Sequence, residues 1–384
     1  MSAVAVPIAV ASDVRLEKLD LLKKKDRARF IQAQWKFYEG NPAWVPPLLM
    51  ERHAFLDLKA NPFFENAEAA FWLAYRGETL VGRIAACEDR NFNKFHETKT
   101  CEWGFYESID DQGVTNAMLE EVKRWARSKG LTTLLGPGNF NTNHECGLLV
   151  DAFERPPFLL MTYNPAYYQK LLEGAGLKKA KDLLSWDFDV SAPVPERVTR
   201  IADKIRKKEN LTIRPVNMKD IEGEITRLER IYNDAWEKNW GFVPMTDHEF
   251  QHMAKDMKQI AIAELCLIAE VAGEPVAFAM TLPDINKVLK NLDGKLFPFG
   301  FVKFLLQKPK IKACRLVTLG IRKGFRKRGI DAVLYHDTHK NARDLGFVEG
   351  EVGWTLEDNE LINRAIVMMG GKKARTYRMY EAAV

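Results

Sequence analysis

The feature that most limits how this chain can fold is a faint internal duplication. Val14-Arg15-Leu16 begins a strand-like run that passes, after Asp20, into a helical pattern, and Ile213-Arg214-Pro215 does the same with Asp220 opening the helix. Gly77-Glu78 separates two apolar runs as a hairpin turn would, and Gly273-Glu274 repeats this 196 residues on. Gly176-Leu177-Lys178-Lys179-Ala180 returns 194 residues on as Gly370-Gly371-Lys372-Lys373-Ala374. Three pairs in the same order at nearly constant offset predict a duplicated fold. A length of 384 residues suits two domains. The boundary falls in the proline-containing stretch Ser191-Ala192-Pro193-Val194-Pro195, giving residues 1–190 and 191–384.

Each half reads as a strand, one or two helices, antiparallel strands, a further strand, a helix, a strand, a helix and a last strand. The alternating runs Leu267 to Val271 and Val276 to Thr281 predict a hairpin. The segment from Leu316 to Thr355 predicts a parallel strand pair around a helix. The expected class is α/β (α+β), each half a mixed, mostly antiparallel sheet flanked by helices. A hydrophobic content of 46% supports real cores. The net charge of +5 is confined to a few stretches, which argues against general nucleic-acid binding. Five scattered cysteines without a CxxC pair give no disulfide framework or zinc site and point to a reducing compartment. No apolar run approaches the roughly 20 residues of a spanning helix. The N-terminal VAVPIAVA has no Lys or Arg before it and reads as a tail on a cytoplasmic protein.

The halves differ where chemistry is expected. After the strand-like run from Leu316 to Ile321, the second half has Arg322, Lys323, Arg326, Lys327 and Arg328 within seven positions, then Gly329 and the helical pattern Ile330, Val333, Leu334, Thr338. A strand, a basic glycine-containing turn and a helix N-terminus form a phosphate cradle. The turn has neither P-loop nor dinucleotide-fold spacing. The first half instead has Glu107, Asp110 and Asp111 before its helix, three carboxylates that would repel pyrophosphate. It also carries an extra Gly-, Pro- and Asn-rich segment, residues 136–157, of the length at which loops are often functional. The second half has its own insertion, residues 286–312, with seven lysines and one acid, Asp293, interleaved with Leu and Phe. That composition suits a membrane surface; a packed helical hairpin with a solvated lysine face is the alternative.

The arrangement Arg326-x-x-Gly329-x-Asp331 resembles the pyrophosphate loop of the GNAT acyltransferases, although that family usually has Gly or Ala where Asp331 stands. A narrower resemblance, over roughly residues 12–382, is to tandem-GNAT proteins of the bacterial ceramide synthase-like family. It is carried by Gly82-Arg83-Ile84-Ala85-Ala86, Gly136-Pro137, Gly147-Leu148-Leu149, Tyr167-Tyr168 with Gly176, Tyr232-Asn233-x-x-Trp236, Asn239-Trp240-Gly241-Phe242-Val243-Pro244 and Arg328-Gly329-Ile330-Asp331. The resemblance implies acyl-CoA as co-substrate, no metal, and N-acylation of a long-chain sphingoid amine at the inner membrane surface. It places coenzyme A in the second half only, against Leu319, Gly320, Ile321, Arg326, Lys327, Arg328, Gly329, Ile330 and Asn359. It also implies that two central strands splay apart to receive the thioester, with backbone N–H groups exposed near Gly320 and Ile321. GNATs often have Tyr where this chain has Ile366; Tyr377, Tyr380 or Tyr335 are the candidates to replace it as acid, with solvent as the alternative.

An amine attacking a thioester must lose a proton, so a carboxylate or His is expected beside the gap. Glu351, which follows Gly350, is the first choice; Glu357 and Asp358, close to Asn359, come next, each with a capping or solvated role as the alternative. Tyr232, Trp236, Trp240 and Phe242 lie where the resemblance places the acceptor, and equally suit a core. His144-Glu145-Cys146 has no flanking nucleophile motif, and His248 with His252 lacks a third metal ligand. A small-amine N-acetyltransferase would have no need of the lysine–phenylalanine insertion. A non-catalytic acyl-CoA or lipid sensor would account for Ile366. A tRNA-dependent aminoacyl transferase would require a long helical arm that this chain does not display.

Overall fold

The computed structural model describes residues 13–237 and 239–384, so the VAVPIAVA segment lies outside the described residues. The first half contains β1 (Val14–Leu19), α1 (Lys24–Phe37), α2 (Leu49–Phe55), β2 (Ala67–Arg76), β3 (Thr79–Asp89), α3 (Arg90–His96), β4 (Thr100–Ser108), α4 (Gln112–Ser128) and β5 (Thr133–Gly136). Three short strands follow, β6 (Gly138–Asn139), β7 (Glu145–Cys146) and β8 (Leu148–Leu149), then α5 (Tyr167–Gly174) and β9 (Lys178–Asp189). The second half contains α6 (Glu196–Glu209), β10 (Leu211–Pro215), α7 (Ile221–Trp236), α8 (Asp247–Lys258), β11 (Cys266–Val271) and β12 (Glu274–Pro283). It continues with α9 (Asn286–Leu289), α10 (Gly300–Gln307), β13 (Ala313–Ile321), α11 (Ile330–Asp344), β14 (Glu349–Leu356), α12 (Glu360–Met368) and β15 (Lys372–Ala383).

Local chemistry sets several boundaries. Asp89 accepts the first amides of α3, Asp111 accepts Val114 N–H at the start of α4, and Thr246 with Glu249 forms a reciprocal cap on α8. The apolar stripe Val114, Met118, Leu119, Val122 and Trp125 buries α4 on the first-half strands. Ile330, Val333 and Leu334 do the same for α11 on β11, β12 and β13.

Thirteen strands form one sheet in the order β1-β2-β3-β4-β5-β15-β9-β14-β13-β12-β11-β10, with β8 also pairing with β15, and β6 pairs with β7 in a separate two-stranded sheet. The last strand of each half is thus exchanged: β15 lies against β5, and β9 lies against β14. The two arms share a central β15–β9 ladder running from Lys372↔Asp187 to Glu381↔Lys178. Hydrogen bonding across this seam joins the halves through the middle of the sheet.

Both arms splay at the same place. β13 and β14 pair in parallel only over Ala313↔Glu349 to Leu316↔Val352, although β13 runs on to Ile321 along β12 and β14 runs on to Leu356 along β9. β4 and β5 pair only over Thr100↔Thr133 to Glu102↔Leu135, while β4 continues to Ser108 along β3. Beyond each fork, alternate backbone groups on the open edge have no strand partner.

Candidate active site

The second fork has small side chains and aromatic cover. A Cβ at Gly320 would lie 2.2 Å from the Trp236 ring, so only glycine lets α7 seat its indole on the open end of β13. Tyr232 stacks obliquely on Trp236 with ring centroids 4.8 Å apart, and Phe242 lies 5.8 Å from Tyr232. Tyr232 Oη donates to Asn143 Oδ1 at 2.7 Å. Trp240 packs on a separate apolar cluster that contains Val243 and Tyr377. The proposed acceptor aromatics therefore form one wall of the gap, with Trp240 set behind it. The wall is tied down by the 136–157 segment, which donates from Asn143 to Val243 O at 3.1 Å and from Thr142 to Gly241 O.

The basic turn follows directly. Lys327 and Gly329 adopt left-handed φ of 61° and 83°, which curls the chain into the start of α11, and Gly329 has no side-chain capping bond to offer. A Cβ at Gly329 would lie 2.5 Å from Ile205 of α6, so glycine is required there for packing as well as for φ. Arg326 donates to the Asp234 and Ala235 carbonyls at the end of α7. Arg328 donates from Nε to Glu209 Oε2 at 2.6 Å, with Nη2 on the same oxygen, and holds that carboxyl below the usual range. Lys323 pairs with Glu237, and Arg322 with Glu274 and Asp234. Asp331 stands in the first turn of α11. An uncapped helix N-terminus, a left-handed turn and exposed Lys327 fit a pyrophosphate. Arg326, Lys327, Arg328 and Ile330 are the residues that would hold it, with Arg328 leaving Glu209 to do so.

A polar cluster is buried at the fork itself. Glu351 on β14 is 1% exposed, and Arg315 on β13 is 3% exposed directly opposite it. Arg315 Nε lies 3.2 Å from Glu351 Oε1, out of line for a hydrogen bond, while its other nitrogens donate to Leu159 O at 2.9 Å and Gly353 O at 2.6 Å. Arg315 thus bridges the diverging strands and the first-half loop. Burial raises the Glu351 carboxyl pKa against the opposing pull of Arg315 and Arg375. Tyr377 on β15 belongs to the same cluster; its hydroxyl is fully buried, has no hydrogen-bond partner among the described residues, and is pushed up by burial. Asp284, just past β12, accepts Leu159 N–H at 2.9 Å and is pushed up to about 7 by burial.

The remaining candidates stand apart. Glu357 accepts from Lys179 Nζ at 2.6 Å and from Asp182 N–H at 3.0 Å, which ties it to β9. Asn359 caps α12 through Ile362 N–H at 3.5 Å. Ile366 is fully buried on α12, and Tyr380 donates to Glu173 at 3.1 Å. Tyr335 is part of α11, is half-buried along the cavity under that helix, and its hydroxyl is pushed up by burial. His248 pairs with Glu65, and His144 is ringed by Phe55, Phe63 and Phe140. Among the described residues no group of three or more His, Cys, Asp and Glu is placed to hold a metal.

The first fork is filled. Counting from the first parallel pair, Glu107 stands where the second half has Gly320. Glu107 is buried against Arg83 at 3.3 Å and accepts Tyr168 Oη at 2.8 Å. Asn139 Oδ1 accepts Phe105 N–H at 2.9 Å, and a Cβ at Gly104 would lie 1.9 Å from Gly138 O. The segment after β5 therefore occupies the space that stays open between β13 and β14.

Sequence inspection missed Arg315, Arg375, Asp284 and Asn139. The first two had a signal: an arginine inside an otherwise apolar strand run is rarely buried without a partner. Asp284 and Asn139 had none, because their roles depend on residues far away in the chain.

Relatives bear on this arrangement. The chain is 35% identical over 363 residues to the bacterial ceramide synthase of Caulobacter vibrioides (strain NA1000 / CB15N), covering 93% of this chain and 94% of that protein. This chain belongs to the bacterial ceramide synthase family. Protein YghO of Escherichia coli (strain K12) is 32% identical to this chain over 371 residues, covering 94% of each chain. No protein-family model matches. The tandem GNAT protein from the clavulanic acid biosynthesis pathway superposes with a TM-score of 0.58 at 10% identity, over 96% of this chain and 98% of that one. The fold of this family member is therefore a tandem GNAT fold, as its residue pattern implied.

Proposed function

We propose that the chain is an acyl-CoA-dependent N-acyltransferase whose acceptor is the amine of a long-chain, sphingoid-type lipid, working from the second half alone. The observation that carries this is the asymmetry of the forks: one is open above a basic helix N-terminus, and the other is closed by its own loop. The relative named as a ceramide synthase supports the acceptor class.

In this reading the turn from Arg326 to Ile330 holds the pyrophosphate, and Leu319, Gly320 and Ile321 lie along the donor's arm. Open-edge N–H groups of β13 stabilise the oxyanion that forms as the amine nitrogen attacks the thioester carbon. Glu351, directly or through a water, takes the amine proton. As the C–N bond forms and the C–S bond breaks, the thiolate leaves and is protonated, with Tyr377 a buried hydroxyl of the cluster and solvent the other source. Glu357 and Asn359 shape the far end of β14, and Tyr232, Trp236 and Phe242 form the acceptor wall, backed by Trp240.

Peripheral membrane contact belongs to the same proposal. The 286–312 insertion exposes Phe297, Phe299, Phe301, Val302, Leu305 and Leu306, with Phe299 82% exposed, while Phe304 turns inward onto the core. Lys295, Lys303, Lys308 and Lys310 flank this patch. Apolar side chains rimmed by lysine suit an anionic lipid surface at about 1 kcal/mol for each lysine that reaches it. Among the described residues no helix is long and apolar enough to cross a membrane.

The test is thermal-shift titration with acetyl-, lauroyl- and palmitoyl-CoA, followed by a product assay with a sphingoid base on vesicles. Stabilisation by acyl-CoA and formation of an N-acyl lipid are expected. Stabilisation without any N-acyl product from lipid amines would favour a binding protein or a small-amine enzyme, and no stabilisation at all would remove the donor assignment.

A further inference from the structure

Glu351 belongs to a buried row of polar side chains that crosses the seam of the sheet. Arg315 on β13 pairs with it on one side, and Asp187 on β9 pairs with it on the other. One strand further on, β15 places Arg375 opposite Ser185, with Tyr377 two positions along. Arg375 is 1% exposed. It reaches this row only because β15 is exchanged onto β9.

Arg375 divides its donors. Nη2 donates to Arg155 O at 2.9 Å and to Pro156 O at 2.7 Å, which ties down the end of the 136–157 segment. Nε and Nη1 are buried and have no hydrogen-bond partner among the described residues. A guanidinium in that state is costly unless an opposite charge stands nearby. Both carboxylate oxygens of Glu351 are likewise buried without a hydrogen-bond partner among the described residues. Arg315 already spends donors on Leu159 O and Gly353 O. Burial pushes the Glu351 carboxyl up, and Arg315 and Arg375 are the cations that oppose it.

The other charged groups around Glu351 do not supply that opposition. Asp187 pushes the carboxyl further up and is itself engaged by Arg155 at 2.6 Å. Asp284, held by Leu159 N–H, is a second acid acting on the same cluster. Burial keeps Tyr377 protonated. The cavity under α11, which Glu351 also borders, brings His336 and His339, each held by its own partner, Asp337 and Ala192 O. Only an ionised carboxylate can take a proton from an amine, and a carboxyl this deeply buried keeps its own proton unless cations stand against it.

We propose that Arg375 is a positioning residue for Glu351, a cation delivered across the last strand of the first half that holds the general base ionised beside the fork. This rests on the acyltransferase reading above and adds what makes its base competent. In this role Arg375 acts only through the carboxylate. The exchange of β9 and β15 then has a chemical consequence, because it brings a charge from the C-terminal strand to a base two strands away.

The test measures kcat/KM of the full chain from pH 6 to 9, with palmitoyl-CoA and a sphingoid base on vesicles, for wild type, Arg375→Met and Arg375→Lys. Both variants lose the paired bonds to Arg155 O and Pro156 O, but only Arg375→Met loses the charge. Relative to wild type, Arg375→Met should lose at least about tenfold at pH 6.5 and recover to within about threefold by pH 9, as the carboxyl finally ionises. Arg375→Lys should stay within about threefold of wild type at every pH. A uniform loss in both variants, or a wild-type profile for Arg375→Met, would overturn the inference and leave Arg375 as a structural tie. So would a tenfold weaker dissociation constant for acyl-CoA in Arg375→Met, which would move the residue to the donor site. Should Arg375→Met fail to fold, the infrared difference between wild type and Glu351→Gln decides. An ionised carboxyl at pH 7 is expected, and a protonated Glu351 in the wild type would overturn the inference. Full turnover of Glu351→Gln would instead remove the base reading itself, and this inference with it.

Discussion

The two forks began as the same piece of architecture and now do opposite things. In the second half the strands part over Gly320 and a bare helix N-terminus; in the first they part over Glu107 and are filled by Asn139 and its neighbours. The difference is one of charge and volume rather than of fold. Where the second half places a basic turn before its helix, the first half has Asp111, which caps α4 and binds Arg76 at 3.1 Å. The closed half is not idle: its loop supplies Asn143 to Tyr232, and the chain just beyond it supplies Leu159 to Arg315. One copy kept the cleft, and the other became part of the cleft's wall.

The comparison can be broken most forcefully at the basic turn. Arg326→Gln with Arg328→Gln should weaken acyl-CoA binding by about 3–6 kcal/mol if both contact phosphate. Calorimetry decides this, and an unchanged constant would mean that the second fork is not the donor site. The reciprocal change in the closed fork is Arg83→Met, which leaves Glu107 buried without its partner. It should cost about 3–5 kcal/mol in urea unfolding and leave the coenzyme A constant of the folded fraction untouched.

Glu351→Gln should lower turnover about a hundredfold, near 2.7 kcal/mol of barrier, with acyl-CoA affinity preserved. Full turnover of this variant across pH 6 to 9 would place the base elsewhere.

A smaller effect should appear in the plug. The aromatic surroundings of His144 depress its pKa to about 4 from an ordinary 6.5. The unfolded chain therefore takes up a proton first, so stability is present above about pH 6.5 and is lost as pH falls toward 4. The ring is half-buried, so solvent screening should hold the loss to about 1–2 kcal/mol. His144→Phe should flatten that part of the stability profile in urea titrations at pH 7 and pH 4.5. The smallest stability change should come from Phe299→Ser with Leu306→Ser, within about 0.5 kcal/mol, because neither side chain is packed. The same variant should nevertheless lose flotation with phosphatidylglycerol vesicles; full retention would detach the insertion from membrane binding.

Local signals made much of this legible. The β2–β3 and β11–β12 hairpins were written in alternating polarity around Gly77 and Gly273, and the β13–turn–α11 unit in an apolar run, a basic turn and a helical stripe. Gly320 was marked too, although the reason for it, the Trp236 ring, lies 84 positions away. The insertion was read as either a membrane face or a packed hairpin. The packed description holds for Phe304, which turns inward onto the core, while Phe299, just before α10, faces solvent.

The sequence by itself determined the repeat, the hairpins, the helix caps and the basic turn at the start of α11, because each depends on residues within a few turns of one another. Only the tertiary structure decided the exchange of β9 and β15, the filling of the first fork by Asn139 and the pairing of Arg315 with Glu351. These join residues tens to hundreds of positions apart. Their energies come from burial and from strand pairing across the sheet, which local patterns of polarity do not encode.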